Sequence, residues 1–76
     1  MELLDWLETA DFFKIKYDSR GKELTNQQKI KKIKNWLNNG ILPRESTVSI
    51  GRDILFIKEE LEKYVYSRQG IKARQG

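Results

Sequence analysis

The sequence predicts a small α+β domain in which two helices are followed by a two-stranded hairpin and a last helix. Three observations predict it. Two Asp/Thr-x-x-Glu/Gln boxes precede apolar residues at helical spacing, beginning at Asp5 and Thr25. Two short β-favouring runs flank Gly51-Arg52-Asp53. Seventy-six residues without cysteine leave room for one core and no disulfide to hold it.

The first helix follows from Asp5-Trp-Leu-Glu8, where an N-cap carboxylate and a Glu three positions on satisfy each other's backbone N–H groups. It is expected from Trp6 to about Lys14, with Trp6, Ala10 and Phe13 on one face and Ile15 folded beneath it. Lys16 to Leu24 has turn formers and no periodicity, so it reads as a loop.

Thr25 to Gln28 is the second capping box. Ile30, Ile33 and Leu37 then repeat at helical spacing, and Gly40 after Asn39 is a left-handed stop, giving a helix from about Asn26 to Asn39. Pro43 makes Ile41 to Glu45 an extended connector. Thr47–Ile50 and Ile54–Ile57 are the hairpin strands, with Val48 and Ile50 sharing one face of the first and Ile54 and Phe56 one face of the second. Glu59 to Arg68 reads as a closing helix with Leu61, Tyr64 and Val65 inward and its acids in the first turn, where the helix dipole favours them. Helix, loop, helix, connector, hairpin, helix is the order of a small winged helix-turn-helix. One domain over residues 1–69 is expected, and 70–76 as a flexible basic tail.

Charge is segregated along this order. Residues 1–13 carry four acids and no base, whereas residues 14–44 carry nine bases against Asp18 and Glu23, a net +7. A basic face for a polyanion produces such a pattern. With neither His nor Cys, thiolate chemistry, imidazole catalysis and zinc fingers are excluded. The carboxylate pairs Glu59/Glu60 and Glu8/Asp11 sit in helical turns and form no acid/base or metal constellation. No enzyme, cofactor, metal or small-molecule substrate is therefore expected. No apolar run approaches the ~20 residues of a membrane span, and the acidic start is unlike a signal peptide. A cytoplasmic protein without a membrane partner is the expectation.

The second helix carries the chemistry. At about 100° per residue its apolar side chains occupy roughly a sixth of a turn, leaving Gln28, Lys31, Lys32 and Asn35 opposite, with Gln27 and Lys34 on a shoulder. Amides pair bidentately with adenine N6/N7, and lysine donates to guanine O6/N7 or to phosphate. No acid occurs between Leu24 and Arg44, so the lysines lack the interleaved Glu of an ordinary solvated helix. Gly51 and Arg52 at the hairpin tip are candidates for the minor groove, and Arg20, Lys22 and Arg44 for the DNA backbone. Trp6, Phe13, Trp36, Phe56 and Tyr64 fit the core pattern, whereas Phe12, Tyr17 and Tyr66 fall off it and are candidate surface contacts.

Taken together, Leu4-Asp-Trp-Leu-Glu-Thr-Ala10, Trp36-Leu-Asn-Asn-Gly40-Ile-Leu-Pro43, Ile50-Gly-Arg-Asp-Ile-Leu-Phe56 and Glu60-Leu-Glu-Lys-Tyr-Val65 resemble the phage-type excisionases. The chain is also similar to their small winged-helix relatives, the MerR-like and prophage-regulator DNA-binding domains. The resemblance spans Leu4 to Val65. It implies a recognition helix in the major groove, here Asn26 to Asn39, and a wing in the adjacent minor groove, here Gly51 to Asp53. It further implies a non-catalytic protein that binds double-stranded attachment-site DNA, self-associates cooperatively while bending it, and assists an integrase in excising a mobile element. Two alternatives stay open: a small transcriptional regulator with the same fold, and a protein-interaction module such as an antirepressor.

Overall fold

The computed structural model describes residues 2–67 and 70–73. The chain is α+β, with three α-helices and two small antiparallel sheets among those residues. Strand β1 (Leu3–Leu4) leads into α1 (Trp6–Phe12), and α2 (Asn26–Asn38) follows a long loop. A 3₁₀ turn (Arg44–Ser46), β2 (Thr47–Ile50), β3 (Asp53–Ile57), the short α3 (Lys58–Leu61), β4 (Tyr64–Ser67) and β5 (Gly70–Ala73) complete it.

Both capping boxes form. The Asp5 carboxylate accepts from Glu8 N–H at 2.7 Å while Glu8 accepts from Asp5 N–H at 3.1 Å, and Thr25 and Gln28 exchange the equivalent pair at 3.2 and 2.9 Å. Both helices also end alike. At α2, Ile41 N–H donates to Trp36 C=O and Gly40 N–H to Leu37 C=O, with Gly40 at φ 76°. At α1, Ile15 N–H donates to Ala10 C=O and Lys14 N–H to Asp11 C=O, with Lys14 at φ 58°. These are the paired bonds of a Schellman motif, so α1 stops on a lysine in the conformation that glycine adopts freely.

α1 packs on α2 and on β3, which places the core between the helices and the inner face of the sheet. Ala10, Phe13, Ile15, Ile33, Trp36, Leu37, Leu42, Phe56 and Leu61 are buried there, together with Ile71 from β5. Phe56 is fully buried, with the Trp6 ring edge-on at 5.2 Å, and Phe13 meets Trp36 in the same manner at 5.6 Å. The buried hydroxyls are satisfied locally: Thr9 donates to Asp5 C=O at 2.7 Å and Ser46 to Pro43 C=O at 2.6 Å.

The hairpin forms, with Asp53 in its second strand and not in the expected three-residue tip. Ile50 pairs with Asp53, leaving Gly51 and Arg52 as a two-residue turn, with positive φ at Gly51 only, the type II′ pattern. Strand register assigns the faces. Thr47 pairs with Phe56 on the core side, so Val48 with its partner Leu55, and Ile50 with its partner Asp53, lie on the opposite side, and Ile50 is half exposed. This sheet has an unforeseen third strand: Leu3 and Leu4 pair with Ile57 and Phe56. It is held at the sheet edge by Glu2, whose C=O accepts from Lys58 N–H at 2.9 Å and whose carboxylate meets Lys58 Nζ at 2.9 Å. The side-chain hydrogen bond to Glu2 raises the Lys58 pKa from its usual value.

The C-terminal expectation needs correction. The helix expected over Glu59 to Arg68 ends at Leu61, and Tyr64–Ser67 turns back as β4 against β5 in the register Tyr66↔Ile71 and Ser67↔Gly70. Leu61 is buried as expected, but Val65, expected to face inward, is 40% exposed. The physical reason lies in Tyr64-Val-Tyr, a β-favouring triplet, and in Gly70, whose φ of 108° suits the return of the chain. Gly70–Ala73 is therefore a paired strand and not an irregular tail. Arg68 and residues 74–76 lie outside the described residues.

Candidate nucleic-acid interface

α2 is positioned by its buried stripe. With Ile33, Trp36 and Leu37 sealed against α1 and the core, helical periodicity turns the other side to solvent. Gln27, Gln28, Lys31, Lys34 and Asn35 are all exposed on it. Gln27, Ile30, Lys31 and Lys34 line a shallow groove of about 360 Å³ along this face. Thus five of the six residues assigned to the recognition face share one surface.

The sixth, Lys32, does not. It is half-buried on the opposite shoulder, where its ammonium donates to the Tyr66 hydroxyl at 3.3 Å and lies 5.3 Å from the Tyr66 ring centroid and 6.0 Å from that of Trp36. Tyr66 in turn stacks obliquely on Trp36 at 5.8 Å. Lys34 is held similarly on its own shoulder, 5.7 Å over the Trp6 ring. Both shoulders of α2 therefore carry a lysine fixed on an aromatic surface, a placement that restrains the long side chain while leaving its charge beside solvent.

Gln28 is also tied into the helix cap. Its Oε1 is committed to the Thr25 N–H in the capping box, which leaves its amide donors and one remaining lone pair for any base. Lys31 and Asn35 are exposed and carry no such internal bond among the described residues.

Arg52 and Gly51 are exposed at the hairpin tip, and Arg44 is exposed at the start of the 3₁₀ turn that leads into β2. Arg20 and Lys22 sit in the α1–α2 loop, which is more ordered than its composition implies. Tyr17 bridges Glu23, and Asp18 Oδ1 accepts from the N–H groups of Arg20 at 2.8 Å and Lys22 at 2.9 Å. Ion pairs of the described residues join Lys58 to Glu2 and Lys63 to Glu60, away from this surface, and the cations of α2 share none of them.

Comparison with models of protein families, with curated proteins and with solved structures finds no match to this chain. Among the described residues no helix is long and apolar enough to cross a membrane, and no cluster of His, Cys, Asp or Glu fits a metal ion.

Tyr66, off the core pattern in the sequence, is also placed differently from expectation. It was expected on a helix, whereas β4 carries it to the side of α2. The signal that marks it is the run of aromatic and β-branched residues followed by Gly70-Ile71, the composition of a hairpin.

Proposed function

We propose that this chain is a small winged-helix protein that binds duplex DNA without catalysis, laying α2 in the major groove and the Gly51-Arg52 turn in the neighbouring minor groove. The observation that carries the proposal is α2 itself. Its 13 residues contain no carboxylate, and its exposed face consists of amides and lysines. A helix about 10–12 Å across fits a major groove about 12 Å wide. Unrelieved lysine repulsion costs a few tenths of a kcal/mol per pair, which phosphates would offset.

The resemblance to excisionases supplies the finer role: the protein shapes attachment-site DNA so that an integrase can excise it. Arg52 supports this role, because a cation at the tip of a rigid two-residue turn suits a narrowed minor groove.

Enrichment of binding sites from a random duplex pool, followed by energy-transfer measurement of the bend in the selected site, tests the proposal. A recurring sequence that the protein bends is the expected result. Loss of discrimination by about 1–3 kcal/mol at one position in Asn35→Ala would identify a base contact. A pool that never converges would refute sequence reading.

A further inference from the structure

The cleft beside Lys32 is not explained by base reading. Tyr17, Asp18, Ser19 and Gly21 form one wall, Tyr66 the other, and Lys32 lies between them, enclosing about 500 Å³. We propose that this cleft binds a backbone phosphodiester of the DNA strand that walls the groove occupied by α2, a role that rests on the duplex binding proposed above.

The chemistry of the cleft selects an acceptor-rich anion. Lys32 has three N–H donors, and its bond to Tyr66 engages one of them. By accepting that bond, the Tyr66 oxygen keeps its own O–H to donate outward. Tyr17 and Ser19 add two further hydroxyls, and Tyr17 is 60% exposed although its ring has no place in the core. The one acid, Asp18, accepts two backbone N–H bonds at a single oxygen and so holds the turn, while its negative charge is the one feature of the cleft that opposes an anion. Lys14, Lys16, Arg20 and Lys22 surround it in the sequence and keep the segment positive. A phosphodiester, with two acceptor oxygens and one negative charge, matches this set of donors.

The geometry selects the same ligand. Lys32 lies about 60° around α2 from Asn35, at roughly 100° per residue. If the Lys31–Asn35 face enters a groove, the Lys32 shoulder faces its wall, where the phosphates run. The wall of the cleft is also preorganised. Gly21 N–H donates to Asp18 C=O at 3.0 Å, Asp18 N–H to Lys22 C=O at 2.9 Å and Leu24 N–H to Lys16 C=O at 2.9 Å, so the loop needs little further ordering on binding. The α1–α2 loop thus acts as a backbone clamp beside α2.

The test is fluorescence anisotropy with a labelled random-sequence duplex of about 24 base pairs over a range of NaCl concentrations, with circular dichroism to verify folding. Two variants are compared with the parent: Lys32→Gln, and Tyr17→Ala/Ser19→Ala, whose positions are exposed and leave the core intact. Lys32→Gln is expected to reduce the magnitude of the log-log salt slope by about 0.9, the contribution of one phosphate. The double variant is expected to weaken binding several-fold with an unchanged slope. If Lys32→Gln fails to fold, the double variant alone decides. Parent-like binding by the folded variants overturns the cleft while leaving duplex binding by α2 intact, whereas a parent that does not bind duplex at low salt overturns both.

Discussion

Lys32 and Tyr66, 34 residues apart, meet on the side of α2, where the lysine ammonium donates to the phenolic oxygen at 3.3 Å and lies 5.3 Å from the ring centroid. The contact ties the C-terminal hairpin to α2 and sets Lys32 apart from Lys31 and Lys34. Lys31 and Lys34 share the groove-lining face with Gln27, while Lys32 faces the α1–α2 loop.

Tyr66→Ala removes the stacking on Trp36 and the cation–π contact together. Aromatic pairs contribute about 0.5–1.5 kcal/mol beyond burial and a partly exposed cation–π contact about 0.5–1 kcal/mol, so a loss of about 1–2 kcal/mol is expected in urea unfolding. Tyr66→Phe keeps both ring contacts and should remain within about 0.5 kcal/mol of the parent. Equal losses in the two variants would show that the hydroxyl, not the ring, holds the hairpin.

Thr25 and Gln28 act as one cap. Thr25→Ala is expected to cost about 1 kcal/mol and Gln28→Ala somewhat less, with the double variant costing less than the two losses combined. Strict additivity in denaturant titrations would contradict the reciprocal hydrogen bonds. Because Gln28→Ala lowers helix stability by this route, its effect on DNA has to be compared with that of Thr25→Ala, which removes the cap and no candidate base contact.

Lys14 ends α1 at φ 58°, where a side chain costs about 1–2 kcal/mol relative to ordinary backbone. Lys14→Gly relieves that strain and should stabilise the fold by roughly 0.5–1 kcal/mol, since glycine in the unfolded chain offsets part of the gain. Thermal unfolding measures it, and a lower melting temperature would contradict the strain.

At the hairpin tip the two turn residues separate structure from contact. A Cβ on Gly51 would meet no atom within 4 Å, so Gly51→Ala costs the backbone strain of a non-glycine residue at the first position of a type II′ turn, about 1–3 kcal/mol. Arg52→Ala should leave the melting temperature unchanged while reducing DNA affinity or bending. Unchanged bending would remove the hairpin from the mechanism.

What was legible in the sequence was local. Asp5/Glu8 and Thr25/Gln28 lie within one helical turn, Gly40 marks a stop by its own backbone freedom, and Gly51-Arg52 needs only the strands beside it. β1 was not legible, because Leu3 and Leu4 become a strand only through Phe56 and Ile57, more than fifty residues away. At the C-terminus, local signals conflicted. Glu59-Glu-Leu-Glu favours a helix and Tyr64-Val-Tyr a strand, and pairing with Gly70–Ala73 decided between them. Periodicity placed Lys32 with Gln28, Lys31 and Asn35 on the face opposite the apolar stripe, but its partner Tyr66 arrives on a strand that no helical pattern reveals and holds it on the shoulder.

The most direct test of the central claim is the salt dependence of binding to a duplex by the intact protein and by Lys31→Gln/Lys34→Gln, positions on the exposed side of α2. The parent is predicted to bind at low salt with a steep negative log-log slope, and the variant to lose about 1.8 from its magnitude, two phosphates at about 0.9 each. No binding by the parent, or an identical slope in the folded variant, would contradict α2 as the DNA-binding face.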